Sequence, residues 1–117
     1  MIKQKKILIV EDERIIASVY SLLLRKKGYD VTITTNADDT FNKTKAMHPE
    51  LIIMDVQLDG QLTGIDIARQ LRLEGHDCPI IFTTGNLRQN TIQEVADIIN
   101  CNVLIKPVEF SEIEKLL

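Results

Sequence analysis

The chain has no tryptophan, and its aromatic residues amount to 4% of 117 positions. Stacking platforms for single-stranded nucleic acid are therefore not evident. Cysteine is almost as scarce. Cys78 and Cys101 cannot make a disulfide framework, and in a reducing compartment they read most simply as small core residues. Long apolar runs are missing; the run Ile7–Val10 is typical and far too short to span a bilayer. Lys3, Lys5 and Lys6 follow Met1, but the four-residue apolar run after them is no signal-peptide core. Secretion is not expected, and a cytoplasmic location is. Positive charge is not in excess either: the net charge is −3 and the pI about 5.3. A general binder of nucleic acid or of anionic membrane should be basic, so neither is expected as a direct partner. Low-complexity stretches are absent, which excludes disorder, collagen-like repeats and coiled coil. What remains is 44% hydrophobic and 26% charged, ordinary for a globular protein. The length suits one domain over 1–117 that can bury roughly two thirds of the surface its unfolded chain exposes.

Short runs rich in apolar and β-branched residues alternate with amphipathic segments. The runs are Ile7–Val10, Asp30–Thr34, Leu51–Met54, Ile80–Thr83 and Asn102–Ile105. The first and third are apolar throughout, as in parallel strands covered on both faces. The second alternates Val31 and Ile33 with threonines and predicts an edge strand with one face in water. The spacing predicts helices over 13–27 (Ile15, Ile16, Val19, Leu22, Leu23), with Gly28 as the stop, and over 37–47 (Ala37, Phe41, Thr44), with Asn36 as N-cap. Further helices are predicted over 65–73 (Ile65, Ala68, Leu71), 90–99 (Ile92, Val95, Ala96, Ile99) and 109–117 (Ile113, Leu116, Leu117). Five strand–helix repeats imply right-handed crossovers and a parallel α/β sheet. In such open sheets the working site lies at the carboxyl ends of the strands.

Glu11-Asp12-Glu13, Asp55, Thr83-Thr84-Gly85 and Lys106-Pro107 follow the first, third, fourth and fifth runs. Taken singly, each has an ordinary reading. An acid between strand and helix is often a cap or a partner for the helix dipole. Thr84 alone is a strand-end threonine, Lys106 alone a solvated lysine, and Pro107 a helix-start proline. Together they read differently. Carboxylates crowded at one edge repel one another unless a cation offsets them. Mg²⁺ prefers carboxylate and water oxygens and bridges phosphoryl oxygens. A lysine is a compact charge for a phosphoryl oxygen, and an aspartate can be a covalent phosphoryl acceptor. The set reads as a Mg²⁺-dependent aspartyl-phosphate site.

On these residues the sequence resembles the response-regulator receiver domains of two-component signalling. The matching pieces are ILIVEDE at 7–13, LIIMD at 51–55, GIDIARQLR at 64–72, PIIFTTG at 79–85 and VLIKP at 103–107. The resemblance implies a flavodoxin-like, doubly wound sheet of five parallel strands in the order 2-1-3-4-5. It implies Asp55 as phosphoacceptor, with Glu11, Asp12, Asp55 and the backbone carbonyl of Gln57 holding Mg²⁺. Thr84 matches the switch hydroxyl, being the fifth residue after Pro79, and Gly85 the small residue after it. Lys106 matches the lysine that contacts the phosphoryl group, and the Lys106–Pro107 bond is expected to be cis. The implied partners are a sensor histidine kinase or phosphotransfer protein and a downstream protein.

Two features depart from the family pattern. Val103 stands where an aromatic residue is usual. The loop after Asp55, Leu58-Asp59-Gly60-Gln61-Leu62-Thr63-Gly64, is one residue longer than usual, and its glycines predict mobility. Two other functions fit parts of the sequence. A Mg²⁺-dependent phosphohydrolase would want a second acid two residues after Asp55, where Gln57 stands. A receiver-like interaction module that does not take phosphate is compatible with Val103. The short last helix suits either a stand-alone receiver or a piece of a longer regulator.

Overall fold

The structure is a computed structural model and describes residues 4–117; Met1 and Lys3, part of the basic start, lie outside the described residues. Five parallel strands, β1 (Lys6–Val10), β2 (Asp30–Thr34), β3 (Leu51–Asp55), β4 (Ile80–Thr84) and β5 (Cys101–Ile105), lie in the order β2-β1-β3-β4-β5. Helices α1 (Arg14–Lys26), α2 (Ala37–Met47), α3 (Gly64–Leu73), α4 (Gln89–Ala96) and α5 (Phe110–Glu114) connect or follow them. This is the expected doubly wound α/β fold, with strand ends shifted by a residue at most.

Side-chain alternation divides the core. Leu8, Val10, Ile52, Met54, Ile80 and Phe82 pack against α3 and α4, with Phe41 of α2 beside them. Ile7, Ile9, Leu51, Ile53 and Ile81 pack on the opposite face against Ala17, Tyr20 and Leu24 of α1 and Ile113 of α5. No helix among the described residues is long and apolar enough to cross a membrane.

The structure corrects several apolar assignments. In α1 the buried residues are Ala17, Tyr20, Ser21 and Leu24, while Ile15, Val19 and Leu22 are 82%, 48% and 56% exposed. The helix is apolar on both sides, so periodicity alone picks the wrong face. In α4 Val95, and just past its end Ile98, face the core; Ile92, Ala96 and Ile99 are exposed. That helix ends at Ala96 rather than at 99. The last helix spans only Phe110–Glu114; Ile113 is buried and Leu116 exposed, and Pro107 lies ahead of the helix rather than in its first turn.

β2 is the edge strand expected, but its threonine face is only partly in water: Thr32 is half-buried and Thr34 is buried. Thr40 and Thr44 of α2 are buried as well, and the Thr34 and Thr40 hydroxyls lie 2.8 Å apart in a hydrogen bond. Thr40 and Thr44 also donate to the carbonyls four residues back, at 2.7 Å each, so burial leaves no hydroxyl unpaired. Cys78 and Cys101 are only half-buried, gathered around Arg72 at the amino end of the sheet.

Candidate functional site

The carboxyl ends of β1, β3 and β5 bring four of the candidate side chains together. Strand alternation sets this up: Glu11, Asp55 and Lys106 each follow a residue that points to the other face of the sheet. Glu11 and Asp55 are 2% and 3% exposed. Lys106 Nζ lies 2.7 Å from Asp55 Oδ2 and 3.6 Å from Glu11 Oε2. The other Asp55 oxygen accepts from the Gln57 backbone amide at 2.9 Å. Glu11, Asp12 and Asp55 each offer a carboxylate oxygen, and these lie within 4.8 Å of one another. The Lys106–Pro107 bond is cis.

Burial of two acids side by side has an electrostatic cost. Burial pushes the Glu11 carboxyl up to about 7; the Glu13 amide opposes this, and the charge of Asp55 adds to it. Burial acts to lower the Lys106 ammonium, but the hydrogen bond and charge of Asp55, with Glu11 behind them, more than reverse it and hold Lys106 above the ordinary lysine range. One lysine thus serves two buried carboxylates, with Asp12 beside them at the rim. Such a set of hard oxygens, gathered within 4.8 Å, fits a small divalent cation.

Thr84 is fully buried, and its hydroxyl is engaged elsewhere. It donates to the Asn86 carbonyl and accepts from the Asn86 amide, both at 3.2 Å. No hydrogen bond joins it to Asp55 among the described residues. Thr83 is the residue in register with Asp55. Gly85 has open space at its Cβ position. Gln57 presents its side chain to solvent. Val103 is half-buried against the α3–α4 core, in register with Phe82.

Three contacts were not legible from residue types. The Asp59 amide donates to Asp12 Oδ2 at 2.8 Å, tying the long loop to the acidic cluster. The Glu13 amide donates to Glu11 Oε1 at 3.2 Å. Gly64, read as a source of mobility, is buried as the first residue of α3 and donates to the Val56 carbonyl at 2.8 Å. A Cβ at Gly64 would collide with the Asp55 carbonyl oxygen. Backbone contacts of this kind leave little trace in composition; only the glycine itself hinted at a close approach.

A family model for the response regulator receiver domain matches residues 7–117. The chain is 30% identical over 114 residues to the two-component response regulator PhoP of Pseudomonas aeruginosa, covering 96% of this chain and 49% of that protein. It is 36% identical over 81 residues to the alkaline phosphatase synthesis transcriptional regulatory protein PhoP of Bacillus subtilis, covering 69% of this chain and 33% of that one. The chain thus spans half or less of the length of these relatives. Among solved structures, a two-component response regulator from Clostridium difficile superposes with a TM-score of 0.89 at 21% identity, covering 97% of this chain and 92% of that one. The chain belongs to the response-regulator receiver domains of two-component signalling.

Proposed function

We propose that this receiver domain is a switch operated by phosphorylation of Asp55. The observation that carries the reading is the Asp55 carboxylate, 3% exposed, held between Lys106 Nζ at 2.7 Å and the Gln57 amide at 2.9 Å beside Glu11 and Asp12. A carboxylate oxygen of Asp55 attacks the phosphorus of a phosphohistidine on a sensor kinase or phosphotransfer protein. The new O–P bond forms as the N–P bond breaks, and the electron pair leaves with the imidazole. Glu11, Asp12, Asp55 and the Gln57 backbone carbonyl would hold Mg²⁺. Bound there, the ion offsets charge on the transferring phosphoryl oxygens. Lys106, already at the Asp55 oxygen, passes its ammonium to a phosphoryl oxygen. Thr84 gives up its bonds with Asn86 and donates to another, which moves the loop between β4 and α4.

An apolar groove beside the acceptor, lined by Ile15, Ile16, Val19, Pro107 and Val108 and reached by Lys106, suits the apolar flank of a donor protein's helix. The exposed face of α4, with Ile92, suits a downstream protein partner that distinguishes the two states. With Val103 at the strand centre, no β5 aromatic takes part in the switch. A cytoplasmic site of action follows from the proposed donor. Gln57 offers no acid for phosphohydrolase chemistry, so turnover of free phosphate esters is not proposed.

A second reading, a receiver-like module that binds partners without taking phosphate, is favoured by the engagement of Thr84 with Asn86 and by Val103. The experiment that separates the two is intact mass after incubation with acetyl phosphate. One phosphoryl group is expected on the wild type, requiring Mg²⁺, and none on Asp55→Asn. A stable aspartyl adduct on Asp55→Asn would overturn the assignment; no adduct on a folded wild type, even with rapid quenching, would favour the second reading.

A further inference from the structure

The two ends of α4 are held very differently. At its carboxyl end, the Arg72 guanidinium of α3 reaches across to the turn into β5. Nη1 donates to the His76 carbonyl at 2.7 Å, and Nη2 to the carbonyls of Cys78 at 2.8 Å and Ile99 at 3.0 Å. Nε donates to Ile99 as well, at 3.3 Å. One planar fork therefore satisfies carbonyls from two separate turns, a task its fixed geometry suits. Asn100, in the left-handed region at φ 57°, adds a side-chain bond to the Asp77 carbonyl at 3.1 Å, and its own carbonyl accepts from Ile80 at 3.1 Å. The buried side chains here, Val95 and Ile98, lie in this half.

The amino end has none of this. Residues 85–90 are all exposed. Arg88 is the N-cap, with no side-chain hydrogen bond to the helix, and its positive charge meets the positive end of the helix dipole. Ile92 is 45% exposed. The bonds of Thr84 with Asn86 are what ties this loop to the strand.

We propose that Arg72 is a positioning residue that pins the carboxyl end of α4. Displacement of the Thr84 loop is then taken up by residues 85–93, while 97–102 stay in place. The helix pivots about the Arg72 corner rather than shifting as a body. This rests on Asp55 being the acceptor, and the test separates the two claims.

Hydrogen exchange is measured on the whole chain, alone and loaded with Mg²⁺ and beryllium trifluoride as the phosphoryl analogue. In the wild type, protection over 85–93 is expected to change about tenfold or more on loading, and over 97–102 less than about twofold. In Arg72→Met, protection over 97–102 falls about tenfold even without the analogue, as expected when several charge-assisted hydrogen bonds are lost, and loading now alters it. Arg72→Lys does not restore it, because one ammonium cannot bridge both turns. Equal changes over the two segments in the loaded wild type would overturn the pivot, as would an Arg72→Met chain with 97–102 still protected. The wild-type comparison decides the matter should Arg72→Met not fold. If the analogue does not load, the acceptor reading fails. The pin is then judged on the unloaded chains: 97–102 more protected than 85–93 by about tenfold, and only while Arg72 is present, supports it, and equal protection overturns it.

Discussion

Asp55 and Thr84 end neighbouring strands, yet the loops that leave them are built in opposite ways. The loop after Asp55 returns at once to its own strand: Gly64 sits against the Asp55 carbonyl, and Thr63 and Asp66 close a reciprocal capping box on α3. Asp59 fastens the loop's middle to Asp12. The loop after Thr84 meets nothing at Gly85 and enters α4 through an uncapped arginine. Under the proposed switch, a site that takes a group and then reports it needs both kinds of loop: one that presents the acceptor in a single geometry, and one whose hydroxyl can leave its resting partner. Local stability is distributed in that sense, with the loop after Thr84 the weakly held part.

The largest test of this contrast is an alanine at each glycine. At Gly64 the added Cβ meets backbone, which cannot rotate aside, so the β3–α3 corner must shift; a loss of about 2–4 kcal/mol is expected from the urea midpoint. At Gly85 the same change meets open space and needs no left-handed φ. There the effect should lie within about 0.5 kcal/mol, or be slightly stabilising through the unfolded chain. Equal costs at the two positions would remove the distinction between the corners.

The pH dependence tests the acidic side of the site. In the metal-free protein Glu11 keeps its proton up to about 7, against 4.5 as its ordinary value. Between these values the folded chain binds more protons than the unfolded one, so this group's contribution falls as pH rises from about 4.5 through 7. Glu11→Gln should remove that slope, making the variant gain on wild type between about pH 5 and pH 8. Mg²⁺ should shrink the gain, since a bound cation takes the place of the proton. A gain that is the same at both pH values and indifferent to Mg²⁺ would show that the crowding at Glu11 is already relieved by Lys106.

Helix caps give a smaller and more local version of the same contrast. Thr63→Ala breaks the capping box of α3 and should cost about 1 kcal/mol. Arg88→Asp supplies the missing cap to α4 and a charge of the favourable sign, and should gain about 1 kcal/mol. Thermal melts read both. A stabilised amino end should also reduce the exchange over residues 85–93 that distinguishes this loop.

The parallel sheet and the gathering of Glu11, Asp12, Asp55 and Lys106 at its carboxyl edge were legible because both follow from the alternation of apolar runs with helical segments, whereas the order 2-1-3-4-5 came only with the family resemblance. Strand ends in such a fold share one edge, and the chemistry is written in residue types. The faces of α1 were not legible, since Ile15, Val19 and Leu22 are as apolar as the residues that α1 buries, and tertiary packing chose between two stripes. The buried threonines of β2 and α2 misled for the opposite reason: a polar residue type says nothing about whether its hydroxyl finds a partner. Cys78 and Cys101 were placed in the core on composition and do pack at its margin, but their gathering around Arg72 depends, for Cys101, on a contact 29 residues apart in sequence. The state of Thr84 was beyond sequence reasoning altogether, because its partner is the backbone of Asn86.

The smallest expected effect bears on how free α4 is along its middle. Arg69 and Glu94 approach to 3.9 Å, with side chains 46% and 41% exposed. A pair so long and so wet should show a coupling of less than about 0.5 kcal/mol in a double-mutant cycle, and lose most of it in about 0.5 M salt. That weakness matters to the contrast between the loops. If the pair contributes little, nothing charged restrains α4 between its open amino end and the corner held by Arg72, and the helix has one fixed point. A coupling above about 1 kcal/mol that survives salt would give it a second fixed point in mid-helix. The motion available to Thr84 would then be confined to residues 85–88, and the exposed face carrying Ile92 would not change between states.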